Sequence, residues 1–387
     1  AALIGVPFAW LTARTDLPFR RFWLVAGLLT MVIPSYIGAM MYIAAFGPRG
    51  LLQSLLEPFG VQSLPSIYGF WGAWLSITLF TYPYVVLPVR AALLNMDPAL
   101  DESARSLGMN RWKVFWRVTL PQLRPAMATG MLLTALYTLS DFGAVALMRY
   151  DAFTRVIYLQ YTSSFDRNRA AILSLVLVAI TLALLVMERL AARKRHNYRI
   201  GVGCQRTLQP VALGRWRIPA LAFCGTLVTV GVLAPVGVLA YWLARGAGEI
   251  TMDLLHPALN TVGASGLTAL VVGVVALPPA LLSARASSRL NRWLVQLAYL
   301  GNVLPGLVVA LALVYFAANY LPNVYQTLPI LILGYSTRFL PLSIGSTSSA
   351  LTQINPRLEE VGRSMGLNSF QIARRIELDD DRVAPAH

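Results

Sequence analysis

Seven stretches of this chain, 18 to 45 residues long, carry at most one acidic, basic or histidine side chain each. This pattern limits the fold more than any other feature. A helix needs about 20 apolar residues to cross a hydrocarbon core about 30 Å thick, because each residue advances it ~1.5 Å. The stretches are 22–46, 66–89, 125–148 with Asp141, 170–187, 218–244, 254–284 with His256, and 293–337. The last is too long for one helix, and Pro322 within 319–323 supplies a turn between two. The second of that pair runs over 328–348 and contains Arg338. The expectation is an all-α polytopic membrane protein with about eight full spans and a leading partial one. Barrel strands would alternate in segments of about 10 residues, whereas these runs are continuous.

Only 13% of the residues are charged, against about 25% in soluble domains. That excludes a disordered chain, a disulfide scaffold and a water-soluble enzyme. The net charge of +15 is explained by topology, since cytoplasmic loops retain Lys and Arg. Alternating the loops places 25 of the 32 basic residues on one side and six on the other, with Arg338 inside a span. Loops 97–120, 189–217 and 355–387 are thereby cytoplasmic, and the basic charge implies no nucleic-acid partner. Cys204, Cys224 and the three histidines lack metal-ligand spacing, so no metal site is firmly assigned.

Two cytoplasmic segments repeat one another. Residues 97–120 and 355–378 align without gaps at an offset of 258, with nine of 24 positions identical, among them Glu102/Glu360, Arg105/Arg363 and Gly108/Gly366. Asp97 or Asn355 suits an N-cap, and the following proline suits the first helical position. Asp101-Glu102 and Glu359-Glu360 favour a helix start, Gly108 or Gly366 a left-handed stop, and Asn110 or Asn368 a second helix. Leu100, Ala104 and Leu107 form an apolar stripe, and Pro121 and Pro125 mark the return to the membrane. A repeated knob on a pseudo-symmetric membrane protein suggests a two-fold cytoplasmic partner.

The E-x-x-R-x-x-G pattern of both copies resembles the coupling loop of bacterial binding-protein-dependent ABC transporter permeases. The fused pair, with Ala9–Asp16, Ile33-Pro34-Ser35-Tyr36, Gly47-Pro48-Arg49-Gly50 and Ser140-Asp141-Phe142-Gly143, resembles their ferric-iron subgroup. The resemblance implies two homologous permease modules, here 1–190 and 218–387 joined by a basic linker, 191–217. It implies an ATPase dimer that docks on Asp101, Glu102, Ala104, Arg105 and Gly108 of one loop and Glu359, Glu360, Arg363 and Gly366 of the other. It also implies a periplasmic binding protein and a bacterial inner-membrane location. Thiamine, phosphonate, sulfate and polyamine are the other cargoes of the class, and an ion-coupled secondary transporter is the rival outside it. Both modules read as incomplete: the chain opens inside an apolar stretch without Met, and a polar tail, 379–387, stands where a further return to the membrane would follow.

No G-x-x-x-x-G-K-[ST] loop occurs and the only lysines are Lys113 and Lys194, so the chain binds no cofactor of its own and ATP belongs to the partner. Charges inside spans are costly and mark function. Asp141 and Arg338 are therefore candidates for the translocation path, or for pairing with each other. Tyr36, Tyr82 and Tyr84 offer oxygens to a hard cation such as ferric iron. Loop 149–169, with Asp151, Asp166 and Arg167, is the expected landing surface for the binding protein.

Overall fold

The computed structural model describes residues 1–96, 103–164, 166–193, 211–245, 252–285, 298, 301, 304–351 and 364. Among these there is no named strand, and the lone bridge joins Thr15 to Val211. The chain divides into two compact units, Ala1–Glu249 and Ile250–His387. The first contains α1 (Ala2–Arg14), α2 (Arg20–Leu28), α3 (Ser35–Phe46), α4 (Leu51–Leu56), α5 (Phe70–Leu94), α6 (Arg111–Val114), α7 (Leu120–Ser140), α8 (Gly143–Leu147), α9 (Phe153–Thr162), α10 (Arg167–Arg193), α11 (Arg217–Val228) and α12 (Ala234–Ala244). The second contains α13 (Met252–Arg285), α14 (Gly306–Tyr320) and α15 (Leu328–Leu351).

Five helical stretches are long and apolar enough to cross a bilayer: Phe70–Leu94, Arg167–Met187, Gly214–Ala244, Leu255–Ser283 and Leu328–Leu351. Each overlaps one of the runs read from the sequence. Two other runs do not form single straight spans. Run 22–46 bends by 98° between Arg20–Met31 and Ser35–Phe59. Pro34 has no N–H to donate, and it biases the preceding Ile33 away from helical backbone. Run 125–148 breaks at Asp141, whose backbone is extended (φ −69°, ψ 125°). α7 nevertheless has 21 residues, ~32 Å of helix. In the second unit the turn after α14 falls at 321–327, a little later than Pro322 alone suggests, and α15 carries Arg338 as expected.

The core of the first unit is α5 held between α1 and α7. Glycines permit the approach. A Cβ on Gly5 of α1 would lie 2.9 Å from Val85 Cβ, and one on Gly130 of α7 would lie 2.6 Å from Val85 Cα. Without a hydrophobic effect between helices in lipid, such close backbone contact supplies much of the packing energy. Tyr82 and Phe8 are fully buried and meet edge-on, with ring centroids 5.9 Å apart.

The first packed unit extends past the basic linker. Run 218–244, which sequence order gives to the second module, packs on α2 and α3. The Val211 N–H donates to Arg14 O (2.7 Å), and the Leu213 N–H donates to Asp16 Oδ1 (2.8 Å). Within the run, residues 229–233 form a π turn in which the Ala234 N–H donates to Thr229 O. The next donor in that register would be residue 235, a proline, so Val230 O lacks a helical partner. The buried Tyr42 hydroxyl of α3 donates to it (2.9 Å). Tyr42→Phe is expected to leave that carbonyl unpaired and to destabilise the protein by about 1–2 kcal/mol, read as a lower midpoint in thermal unfolding of the detergent-solubilised chain.

In the second unit α13 packs along α15, with Ala276, Ala280, Ile344 and Leu351 buried. Many large apolar side chains of α13 face outward, Leu259, Val262 and Leu270 among them. Lipid contact offsets that exposure in a spanning helix.

Candidate functional site

The described part of the first repeat copy begins with a helical turn at 103–106. Gly108 ends it with φ +78°, in the left-handed region. The Met109 N–H donates to Ala104 O (3.2 Å) and the Gly108 N–H to Arg105 O (2.9 Å), the paired bonds of a Schellman stop. Among the described residues nothing lies within 4 Å of the position a Gly108 Cβ would take, so it is the backbone conformation that favours glycine here. Asn110 O accepts the Val114 N–H (3.0 Å) and starts the second helix. That helix then continues through a π turn, Phe115–Thr119, into α7. The π turn answers Pro121 as 229–233 answers Pro235, since each ends two positions before its proline. The expected apolar stripe divides: Ala104 is buried, while Leu107 is 78% exposed. Arg105 is exposed as well. Leu100, Asp101 and Glu102 lie outside the described residues, as do Glu359, Glu360, Arg363 and Gly366 of the second copy.

α1 touches the second helix of the knob and the end of the helix that leads into it. Trp10 meets Phe115 of the π turn edge-on, 5.6 Å between centroids. One helical turn later, buried Arg14 reaches Leu93 O at the end of α5 through Nη1 (3.5 Å). Trp10→Ala removes an aromatic pair worth about 1 kcal/mol. Limited trypsin digestion at Arg105 should then be several-fold faster than in the wild type.

A second constellation surrounds Asp141. Its Oδ1 accepts the Ala144 N–H (3.0 Å) and so caps α8. Its Oδ2 accepts a short hydrogen bond from the Ser35 hydroxyl at the start of α3. Its carbonyl accepts the Thr154 hydroxyl of α9 (2.7 Å). A Cβ on Gly143 would lie 2.5 Å from Tyr36 Cβ, so the two backbones are in near contact. The segments 33–36 and 140–143, far apart in sequence, thus meet at one point. Asp141 is 8% exposed and Tyr36 51%. The sequence marks Asp141 and Tyr36 as path candidates and carries Ser35 only as part of the 33–36 motif; its pairing with Asp141 across 106 residues, and the part played by Thr154, leave no local signal.

The other candidates are dispersed. Tyr82 is fully enclosed, and its hydroxyl donates to Gly27 O. Tyr84 is partly exposed and packs on Tyr137 (5.5 Å). Arg338 is exposed beside a groove of about 650 Å³ in the second unit, its guanidinium filling the place a Gly306 side chain would occupy. In the loop after α8, Asp151 pairs with Arg155 and Asp166 with Arg169, while Arg167 is exposed. Among the described residues no group of three or more His, Cys, Asp or Glu side chains could hold a metal ion.

Long apolar helices, a helical knob closed by a left-handed glycine and a buried carboxylate at a broken helix make up a multi-pass helical membrane protein. The family described as "Binding-protein-dependent transport system inner membrane component" matches residues 5–196 and 269–378, and the chain belongs to that family. It is 33% identical to the Fe(3+)-transport system permease protein FbpB 2 of Haemophilus influenzae over 385 residues, covering 98% of this chain and 72% of that one. It is 24% identical to the putative ferric transport system permease protein FbpB 1 of the same organism, over 96% of this chain and 62% of the relative. A sulfate transport system permease protein, CysW of Synechocystis, is 31% identical over 51% of this chain and 75% of its own length.

Proposed function

We propose that the chain is the permease of an ATP-driven importer that carries ferric iron, delivered by a periplasmic binding protein, into the cytoplasm. The observation that carries this reading is the extent of similarity. The two ferric permeases align with nearly the whole chain, the sulfate permease with half of it. An ATPase dimer, one subunit per knob, supplies the hydrolysis for which the chain has no phosphate-binding loop. Closure of that dimer around ATP draws the knobs at 97–120 and 355–378 together and shifts the permease from inward to outward access. The contact of Trp10 with Phe115 of the first knob, and of Arg14 with the end of α5 just before it, supports α1 as the element that moves with it. Asp141, Tyr36, Tyr84 and Arg338 remain the path candidates; Tyr82 is better suited to packing.

The test is uptake of radiolabelled ferric iron into proteoliposomes holding the permease and its ATPase, with iron-loaded binding protein on the binding-protein side. Uptake that requires ATP and is unaffected by excess sulfate supports the reading. Sulfate or molybdate uptake would contradict the cargo, and iron uptake driven by an ion gradient without ATP would contradict the class.

A further inference from the structure

Two helices begin side by side at the cytoplasmic edge of the first unit, and both begin against the rule. The first turns of α2 and α11 contain no acidic residue and no side-chain cap. They carry Arg20, Arg21 and Arg217 instead, with Arg215 in the preceding turn. A helix N-terminus favours negative charge, so cations there raise the energy of the bare protein. The two starts are fixed together by the Asp16–Leu213 hydrogen bond and by Trp23, which reaches within 3.9 Å of the Cβ position of Gly225.

Three further observations point outward to a ligand. Arg20 and Arg21 border a cavity of about 440 Å³, to which Asp16 adds the one lining carboxylate. Arg90 of α5 adds a further cation beside Arg20, and among the described residues its enclosed Nε has no hydrogen-bond partner. The cations are interleaved with large apolar side chains turned outward: Phe19 is 80% exposed, Phe22 59% and Ile218 78%. Phe19 holds this position with a left-handed backbone (φ 54°), which a bulky residue seldom adopts.

From this corner we infer a docking surface for the anionic phospholipid headgroups of the cytoplasmic leaflet, with Arg20, Arg21, Arg215 and Arg217 on the phosphates and Phe19, Phe22 and Ile218 in the acyl boundary. The charge is complementary to that leaflet, and the apolar residues match the depth at which acyl chains begin. A soluble phosphate would account for the arginines and not for the exposed aromatics. The surface does not depend on which cargo is carried.

The full chain in nanodiscs of phosphatidylglycerol mixed with phosphatidylcholine provides the test, with retained lipid counted by native mass spectrometry after release into detergent. The wild type should retain phosphatidylglycerol over phosphatidylcholine. Each of R20Q, R21Q, R215Q and R217Q should weaken that retention about fivefold, and the corresponding lysine variants much less. R49Q and R167Q, on the opposite side, should leave it unchanged and control for loss of charge or fold. Unchanged retention in the four glutamine variants would overturn the proposal. So would displacement of the lipid by millimolar inorganic phosphate, or variants that lose ATPase association while keeping the lipid.

Discussion

Gly108→Val is expected to lower ATP-dependent uptake by at least about tenfold while the chain still inserts and its spans still pack. The left-handed backbone at φ +78° costs an L-residue roughly 1–2 kcal/mol, and a β-branched side chain more. Relief of that strain unwinds the Schellman stop and redirects Leu107 and Arg105 at the tip of the knob. Among the described residues nothing within 4 Å of the Cβ position resists the new side chain, so global stability should fall mainly by the conformational term. Uptake and pull-down of the ATPase, measured together with thermal unfolding, separate the two effects. Gly108→Asn is the informative companion, because asparagine tolerates the left-handed region and should retain more activity than valine.

Asp141→Ala should destabilise the first unit by about 3 kcal/mol and abolish most uptake. The carboxylate accepts the Ser35 hydroxyl, a bond to a charged acceptor worth about 1.5–3 kcal/mol, and caps α8, worth about 1 kcal/mol. Ser35→Ala alone should cost less. The double variant should be no worse than Asp141→Ala by more than a few tenths of a kcal/mol, since the two residues share one interaction. Asp141→Asn keeps an acceptor for the Ala144 N–H and can still pair with Ser35, so its stability should stay near that of the wild type. If uptake nevertheless falls in Asp141→Asn, the negative charge itself serves transport; if uptake is retained, Asp141 is a joint between helices and no part of the path.

The spans were legible because an uncharged run of 20 or more residues has few other destinations. The left-handed Gly108 and the second helix from Asn110 were legible for a similar reason: each follows from the local chemistry of one or two residues. What escaped was decided by distant contacts. Counting charges does not reveal that run 22–46 breaks, although Pro34 carried the signal. The break at Asp141 was hidden because an aspartate in an apolar run reads as a buried charge; only the fold shows it capping a new helix and receiving Ser35. The packing of 217–244 on the first unit depends on Tyr42 meeting an orphan carbonyl 188 residues away, a pairing that no spacing encodes. Tyr82 stands out in the sequence as a phenol beside Pro83, and that spacing does not reveal that its ring is enclosed against Phe8 of α1.

In the proposed transport cycle the first knob is a cytoplasmic lever worked by an ATPase. Leu107, 78% exposed beside the Gly108 turn, is the natural reporter. The measurement is labelling of Leu107→Cys, in a Cys204→Ser background, by a membrane-impermeant maleimide in oriented vesicles, followed by cross-linking to the ATPase with and without ATP. Labelling from the cytoplasmic face, with a cross-link whose yield changes with nucleotide, is the expected result. Labelling from the outer face, or a knob that never cross-links to the ATPase, would contradict it.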